Sequence, residues 1–187
     1  RAYHQLKQLS KKHEVHLICL NDSTNSENAI NELESFCTSV TVYKLNKLKI
    51  GLRLFLALFS KKPFQVKYFY DSSIAKKINK RVIDINPKHI FCQLVRTSEY
   101  IKNLHQFTKT IDYMDALSKG MLRRAETEKF ILRVFAKAEA GRLTTYENLI
   151  FDYFDFKIII SEQDRDLIYH KNRKEIIVVP NGVDEIL

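Results

Sequence analysis

Glycine is scarce in this chain of 187 residues, with Gly51, Gly120, Gly141 and Gly182 standing singly. A Walker A loop and a G-x-G-x-x-G dinucleotide fingerprint both need closely spaced glycines, so neither lies within the chain. Proline is rarer, at three residues, and tryptophan is absent. No low-complexity linker and no internal repeat interrupts the sequence. The three cysteines, Cys19, Cys37 and Cys92, are an odd number without C-x-x-C spacing. Two sit in apolar runs, where a free thiol packs as a small hydrophobe. This argues against a disulfide framework or zinc ribbon and for a reducing, cytoplasmic setting. Long apolar runs are missing too. The longest, Ile50 to Phe59, is broken by Gly51 and Arg53, far short of the roughly 20 residues a spanning helix needs. Arg1-Ala-Tyr-His lacks an initiator Met and leads into a polar amphipathic pattern unlike a signal peptide. The chain is therefore expected to begin inside a larger protein.

Acidic residues vanish between Glu34 and Asp71, where Lys44, Lys47, Lys49, Arg53, Lys61, Lys62 and Lys67 supply seven of the net +9 charges. The excess is thus local, a basic surface with a place in the structure. Within it Leu48, Leu52, Phe55, Leu56 and Phe59 share one helical face, with Leu54 and Leu58 off it. One reading is a core helix with solubilising basic flanks. Another is a patch of Lys44, Lys47, Lys49, Arg53, Lys61 and Lys62 resting on an anionic membrane surface or an acceptor, with Phe and Leu dipping in. Nucleic acid is not expected, since no aromatic–basic recognition motif accompanies the charge.

At 45% hydrophobic and 28% charged, the composition is that of a soluble globular protein long enough to bury a core. Strands are expected at 14–20, 39–45, 89–95, 108–114, 157–161 and 175–179. Helices are expected at 3–12, 25–36, 44–62, 72–85, 98–105 and 163–170, with a long one at 120–152 bent near Gly141. Asn21-Asp22-Ser23 closes the first strand, and Asn86-Pro87 stops the 72–85 helix. Strands alternating with helices, several of them continuously apolar, predict an α/β fold. Its form is a Rossmann-like, doubly wound, mainly parallel sheet with helices on both faces.

In such sheets ligands bind beyond the carboxyl ends of the strands. The rule selects Asp22 beside Asn21, Arg96 with Glu99, Asp112 with Asp115, and Ser161 with Glu162. Ser161 also fits a helix N-cap, and Asp115 stands just past a strand, where a carboxylate serves equally as cap, turn residue or ligand. No metal is expected. His13-Glu-Val-His16 places its histidines three apart at the mouth of a strand, on opposite faces, whereas zincins need two four apart on a helix.

Four stretches together resemble the N-terminal half of a family-4 glycosyltransferase of the GT-B fold. They are residues 1–20, beginning Arg1-Ala-Tyr-His-Gln-Leu, and Lys62-Pro-Phe-Gln-Val-Lys-Tyr-Phe. The third is Ala138-Glu-Ala-Gly-Arg-Leu-Thr-Thr-Tyr-Glu147 with Phe154-Asp155 and Ile159-Ile160-Ser161-Glu162. The fourth is Ile177-Val-Val-Pro-Asn-Gly-Val-Asp184. Their order and spacing extend over nearly the whole chain, and the nearest subgroup is the sugar transferases of exopolysaccharide biosynthesis.

The resemblance implies that residues 1–178 form the acceptor-side domain without its first strand and glycine-rich loop. Residues 179–187 then cross into a nucleotide-sugar-binding domain, with Asn181 and Gly182 as the hinge. It implies transfer of a sugar from a nucleotide diphosphate donor to a glycan or lipid-linked acceptor, with retention and without metal or other cofactor. The donor would be gripped mainly by the second domain, so this chain alone is expected to be inactive. The protein is placed in the cytoplasm, peripherally at the inner face of its membrane. Many relatives carry a His near the reacting sugar where this chain has Asp115, the candidate catalytic residue. Two other readings stay open: a non-catalytic Rossmann-like module docking on a membrane or an anionic partner, and half of another GT-B enzyme such as a sugar-nucleotide epimerase.

Overall fold

A computed structural model describes residues 1–22 and 27–182. Ser23, Asn25 and residues 183–187, on which parts of the expected first turn, second helix and interdomain crossing fall, lie outside the described residues. The chain is α/β, and every paired strand is parallel to its neighbour. This is the Rossmann-like α/β arrangement expected, with its parallel strands in two sheets, of two and four strands. They belong to two compact units, Arg1–Gly51 with the residues from Asn181 on, and Leu52–Pro180.

The first unit holds α1 (Ala2–Leu9), β1 (His16–Asn21), α2 (Glu27–Glu34) and β2 (Ser39–Lys44). β1 and β2 are in register from His16 opposite Ser39 to Asn21 opposite Lys44. The His16 ring bonds Ser39 at 2.8 Å, which spends that nitrogen within the sheet. Tyr3 ties α1 to α2, donating to Glu32 at 2.6 Å and packing edge-on against Phe36. β1 is half-buried at all six positions, not fully buried as its apolar run suggested. A two-stranded ribbon offers each strand only one hydrogen-bonded neighbour and little cover.

α3 (Lys47–Ala57) begins with the Asn46 side chain accepting from the Leu48 and Lys49 N–H groups, as an N-cap does. It stops at Ala57, short of the expected Lys62, and a separate short helix, α4 (Phe64–Phe69), follows Pro63. Proline has no N–H to continue a helix and forces the preceding residue out of helical geometry, so α3 and α4 cannot be one helix.

α5 (Ser72–Ile85) has the predicted ends. Asp71 caps its start by accepting from Ser73 and Ile74, and Asn86 closes it in the left-handed region at φ 47°. Then come β3 (His89–Gln93), a 3-10 turn at Val95–Tyr100 where a helix at 98–105 was expected, and β4 (Thr108–Asp112). α6 (Leu117–Thr127) and α7 (Phe130–Phe151) replace the one long helix. The break falls at Glu128-Lys129 and not at Gly141, which lies inside α7. Thr127 and Glu128 both fold back onto Arg124, by hydroxyl to carbonyl at 3.0 Å and carboxylate to guanidinium at 3.0 Å, and so close α6. β5 (Phe156–Ile159), α8 (Glu162–Leu167), a 3-10 turn at Arg173–Glu175 and the short β6 (Ile177–Val178) complete the unit. Its strand order is β3-β4-β5-β6.

The core of this unit gathers around β4, β5 and α7. Ile111, Tyr113, Leu143, Ile150, Phe151 and Ile159 are all essentially inaccessible. α7 buries Ala136, Ala140, Leu143, Tyr146 and Ile150 at helical spacing, and with them two glutamates, Glu139 and Glu147. Each glutamate caps another helix. Glu139 accepts from the N–H groups of Phe64 and Gln65 at 2.9 and 3.0 Å, and Glu147 from the N–H and hydroxyl of Ser118 at 3.0 and 2.6 Å. The Lys62–Phe69 and Ala138–Glu147 stretches therefore interlock through residues that are structural.

Candidate functional site

The four parallel strands of the second unit present their carboxyl ends along one edge, so the residues after β3, β4 and β5 line up there. The backbone is strained at two of these exits: Leu94 has φ 72° and Met114 φ 66°, without being glycine. Such left-handed residues cost on the order of 1–3 kcal/mol and cluster where a turn has work to do. Here Leu94 N–H donates to Asp112 O at 2.8 Å, and Met114 N–H to the Asp112 carboxylate at 3.0 Å. Asp115 N–H then bonds Tyr113 O at 2.9 Å, and the Asp115 carbonyl accepts from Leu117 at 3.1 Å. The chain is thereby turned so that the Asp115 side chain is exposed to solvent.

Asp112, taken from the sequence as a ligand contact, is 0% exposed. It cannot touch a ligand; it holds the Met114 turn that positions Asp115. Glu99 is likewise spent within the protein. Its carboxylate accepts from Lys62 and Lys102, both at 2.8 Å, and from the Tyr146 hydroxyl at 2.8 Å. Ser161 is the N-cap of α8, accepting from Asp164 N–H at 3.0 Å and donating to the Asp164 carboxylate at 2.6 Å. Glu162 is exposed in the first turn of that helix and pairs with Arg165 at 3.3 Å.

The charged groups that act on Asp115 are Asp164, Arg123 and Arg96, and Asp115 in turn acts on the buried Glu147. Partial desolvation, then the negative charge of Asp164, push the Asp115 carboxyl above the usual aspartate value, against the opposing pull of Arg123 and Arg96. Arg96 is fixed in place by stacking, its guanidinium 5.1 Å from the centre of the Phe69 ring. Its Nε is buried with no hydrogen-bond partner among the described residues. Arg123 and Asp164 were not picked out from the sequence. Asp164 had a signal, because Ser161-x-x-Asp164 is a capping box variant; Arg123 sits on α6, eight residues from Asp115, and only the fold turns it back.

Elsewhere the expected residues are dispersed. Asp22, just past β1, and Asn181 and Gly182 belong to the first unit, where Asn181 accepts from the Arg1 guanidinium at 2.8 Å. Of the basic patch, Arg53 is half-buried against Asp71 at 3.3 Å and donates to Tyr70 O. Lys62 is held by Glu99, while Lys44, Lys47, Lys49 and Lys61 are exposed.

An exposed carboxylate with a raised pKa, at a strained strand exit and within reach of the charge of two guanidinium groups, can accept hydrogen bonds from hydroxyls and take up a proton. No protein-family model and no curated protein matches the chain. Among the described residues no helix is long and apolar enough to cross a membrane.

Proposed function

We propose that the chain is the acceptor-side half of a retaining, metal-independent glycosyltransferase of the GT-B type. The observation that carries the reading is Asp115, exposed just past the strained Met114 turn and within reach of the positive charge of Arg123 and Arg96. Asp115 binds an acceptor or sugar hydroxyl, and the guanidinium groups orient polar oxygens beside it. One further feature supports it: two of the four stretches that carry the family resemblance, Lys62–Phe69 and Ala138–Glu147, lock onto one another through Glu139.

On this reading the nucleotide diphosphate sugar is bound mainly by a second domain, whose cations and helix N-termini meet the charge on the leaving diphosphate. The acceptor is a glycan or a lipid-linked sugar, and the three free cysteines suit a reducing, cytoplasmic setting. The test is sugar transfer by the full-length protein and its Asp115→Asn variant, followed from pH 4 to 8. The parent rate should rise with pH through a value above that of an ordinary aspartate, as the carboxylate ionises. The variant should lose about tenfold or more in rate, with the pH step flattened and the melting temperature unchanged. An unchanged rate reduces Asp115 to a turn residue. Release of an epimerised sugar in place of a glycoside would assign the fold to a sugar-nucleotide epimerase.

A further inference from the structure

The second unit carries a surface that the proposed reaction does not use. Where α3 ends, Phe55, Leu56 and Leu58 are each more than half exposed and Phe59 is 84% exposed. Where α7 begins, Phe130 and Ile131 are 77% and 80% exposed, and Val134 and Phe135 are open as well. All six residues from 130 to 135 face solvent, on every side of the helix. A helix waiting for a packed protein partner exposes one apolar stripe; the start of this one is exposed at every position, with Phe135 partly covered by Phe64.

The two tips are parts of one surface. Phe64 lies 4.9 Å from Phe135 between ring centres, and Arg142 bonds the last carbonyl of α3, at Ala57, at 3.3 Å. A groove of about 390 Å³ runs between them, with Ser60 and Lys61 on one wall and Ala138, Gly141, Arg142 and Thr145 on the other. The charge around the tips is mainly positive; of the acids just before Lys129, Glu128 is paired with Arg124 and Glu126 is exposed. Lys61, Lys129, Arg133 and Lys137 are exposed and have no carboxylate partner among the described residues. The only acid between Lys129 and Tyr146 is Glu139, which is buried and turned onto α4. Apolar tips ringed by cations match a medium that is hydrocarbon within and phosphate at its rim.

We propose that the end of α3 and the start of α7 form one docking surface for an anionic lipid bilayer. Phe59, Phe130 and Ile131 enter the acyl boundary, and Lys61, Lys129, Arg133 and Lys137 meet the headgroup phosphates. The inference does not depend on the glycosyltransferase reading, and its second tip extends it beyond the basic segment visible in the sequence.

The test is co-sedimentation with vesicles of phosphatidylcholine alone or mixed with phosphatidylglycerol, at low and high salt. Binding should need phosphatidylglycerol and weaken as salt rises. Lys61→Glu with Lys129→Glu, Phe59→Ser, and Phe130→Ser with Ile131→Ser should each lower it about tenfold or more. These side chains are exposed, so circular dichroism should show unchanged folding. Equal binding to neutral vesicles, or none to anionic ones, overturns the proposal. Parent-like binding by the Phe130→Ser, Ile131→Ser variant overturns the joint surface. Self-association in ultracentrifugation that this variant abolishes, without vesicle binding by the parent, assigns the face to a second copy of the chain.

Discussion

Asp71 and Glu99 hold their protons weakly, and Glu147 holds its proton tightly, although all three are enclosed. Burial alone pushes each upward. At Asp71 the Ser73 hydroxyl, two backbone N–H groups and the Arg53 guanidinium outweigh it. At Glu99 the outweighing groups are Lys102, Lys62 and Tyr146. At Glu147 burial wins over the two bonds from Ser118, with the charge of Asp115 adding to it. The consequences for stability have opposite signs. Asp71 and Glu99, lowered in the folded state, stabilise above the unfolded value near pH 4, and that contribution is lost as pH falls through the folded value. Glu147, raised, stabilises most below its unfolded value and loses this as pH rises through the folded one. Glu99→Gln should therefore cost about 1–3 kcal/mol at pH 7, because two lysines lose their counter-charge. Glu147→Gln should cost less at pH 7, since it removes a carboxylate that is itself penalised there. Urea unfolding of both variants at pH 7 and pH 4 measures this, and a larger loss for Glu147→Gln would contradict the assignment. The strand-end rule found Asp115 and Arg96 in the sequence, but it could not separate them from Glu99 and Asp112. What separates them is distant: Lys62 and Tyr146 meet Glu99 from 37 and 47 residues away.

α7 organises the second unit because it carries a cap for each of two other helices as well as an apolar face. Removing the Glu139 carboxylate leaves the Phe64 and Gln65 N–H groups of α4 without their acceptor. Glu139→Ala should cost about 2–4 kcal/mol, from two unsatisfied donors at about 1–3 kcal/mol each after partial relaxation. The signature is local: amide exchange should speed at Phe64 and Gln65 while the Ser118 amide, capped by Glu147, keeps its protection. Equal acceleration at Ser118 would mean the two caps are not separate devices. At this scale, elements with chemical punctuation were legible. Asn86-Pro87 marked the end of α5, and the apolar runs marked the parallel strands. The α6–α7 break was not, because its closure uses Thr127 and Glu128 folding onto Arg124, and neither is a helix breaker. At Gly141 the helix continues unbroken, with Ala140 and Leu143 buried on either side of it. The bare start of α7 was hidden too, since Phe-Ile-Leu within a helical pattern reads as core.

The two units differ in how much core each owns, and that difference sets which opens first. In the first unit, Cys37, Leu45 and Ile50 are the only buried hydrophobic side chains among the described residues, and no residue of β1 is buried. In β4 of the second unit, four of five residues are buried, and Ile111 is wholly so. Each side chain moved from half-buried to fully buried adds on the order of 1 kcal/mol of transfer free energy, so the protection of β4 amides should exceed that of β1 amides by several such increments. Native-state hydrogen exchange in low urea should thus show Ile18 and Val42 exchanging through a smaller opening than Ile111 and Asp112. Ile111→Val removes one buried methylene at about 0.5–1.5 kcal/mol. It should lower the opening free energy of β4 by that amount and leave β1 unchanged, because β1 already exchanges by an opening that does not involve the β4 core. Equal opening free energies in the two strands, both lowered by Ile111→Val, would show that the units unfold as one.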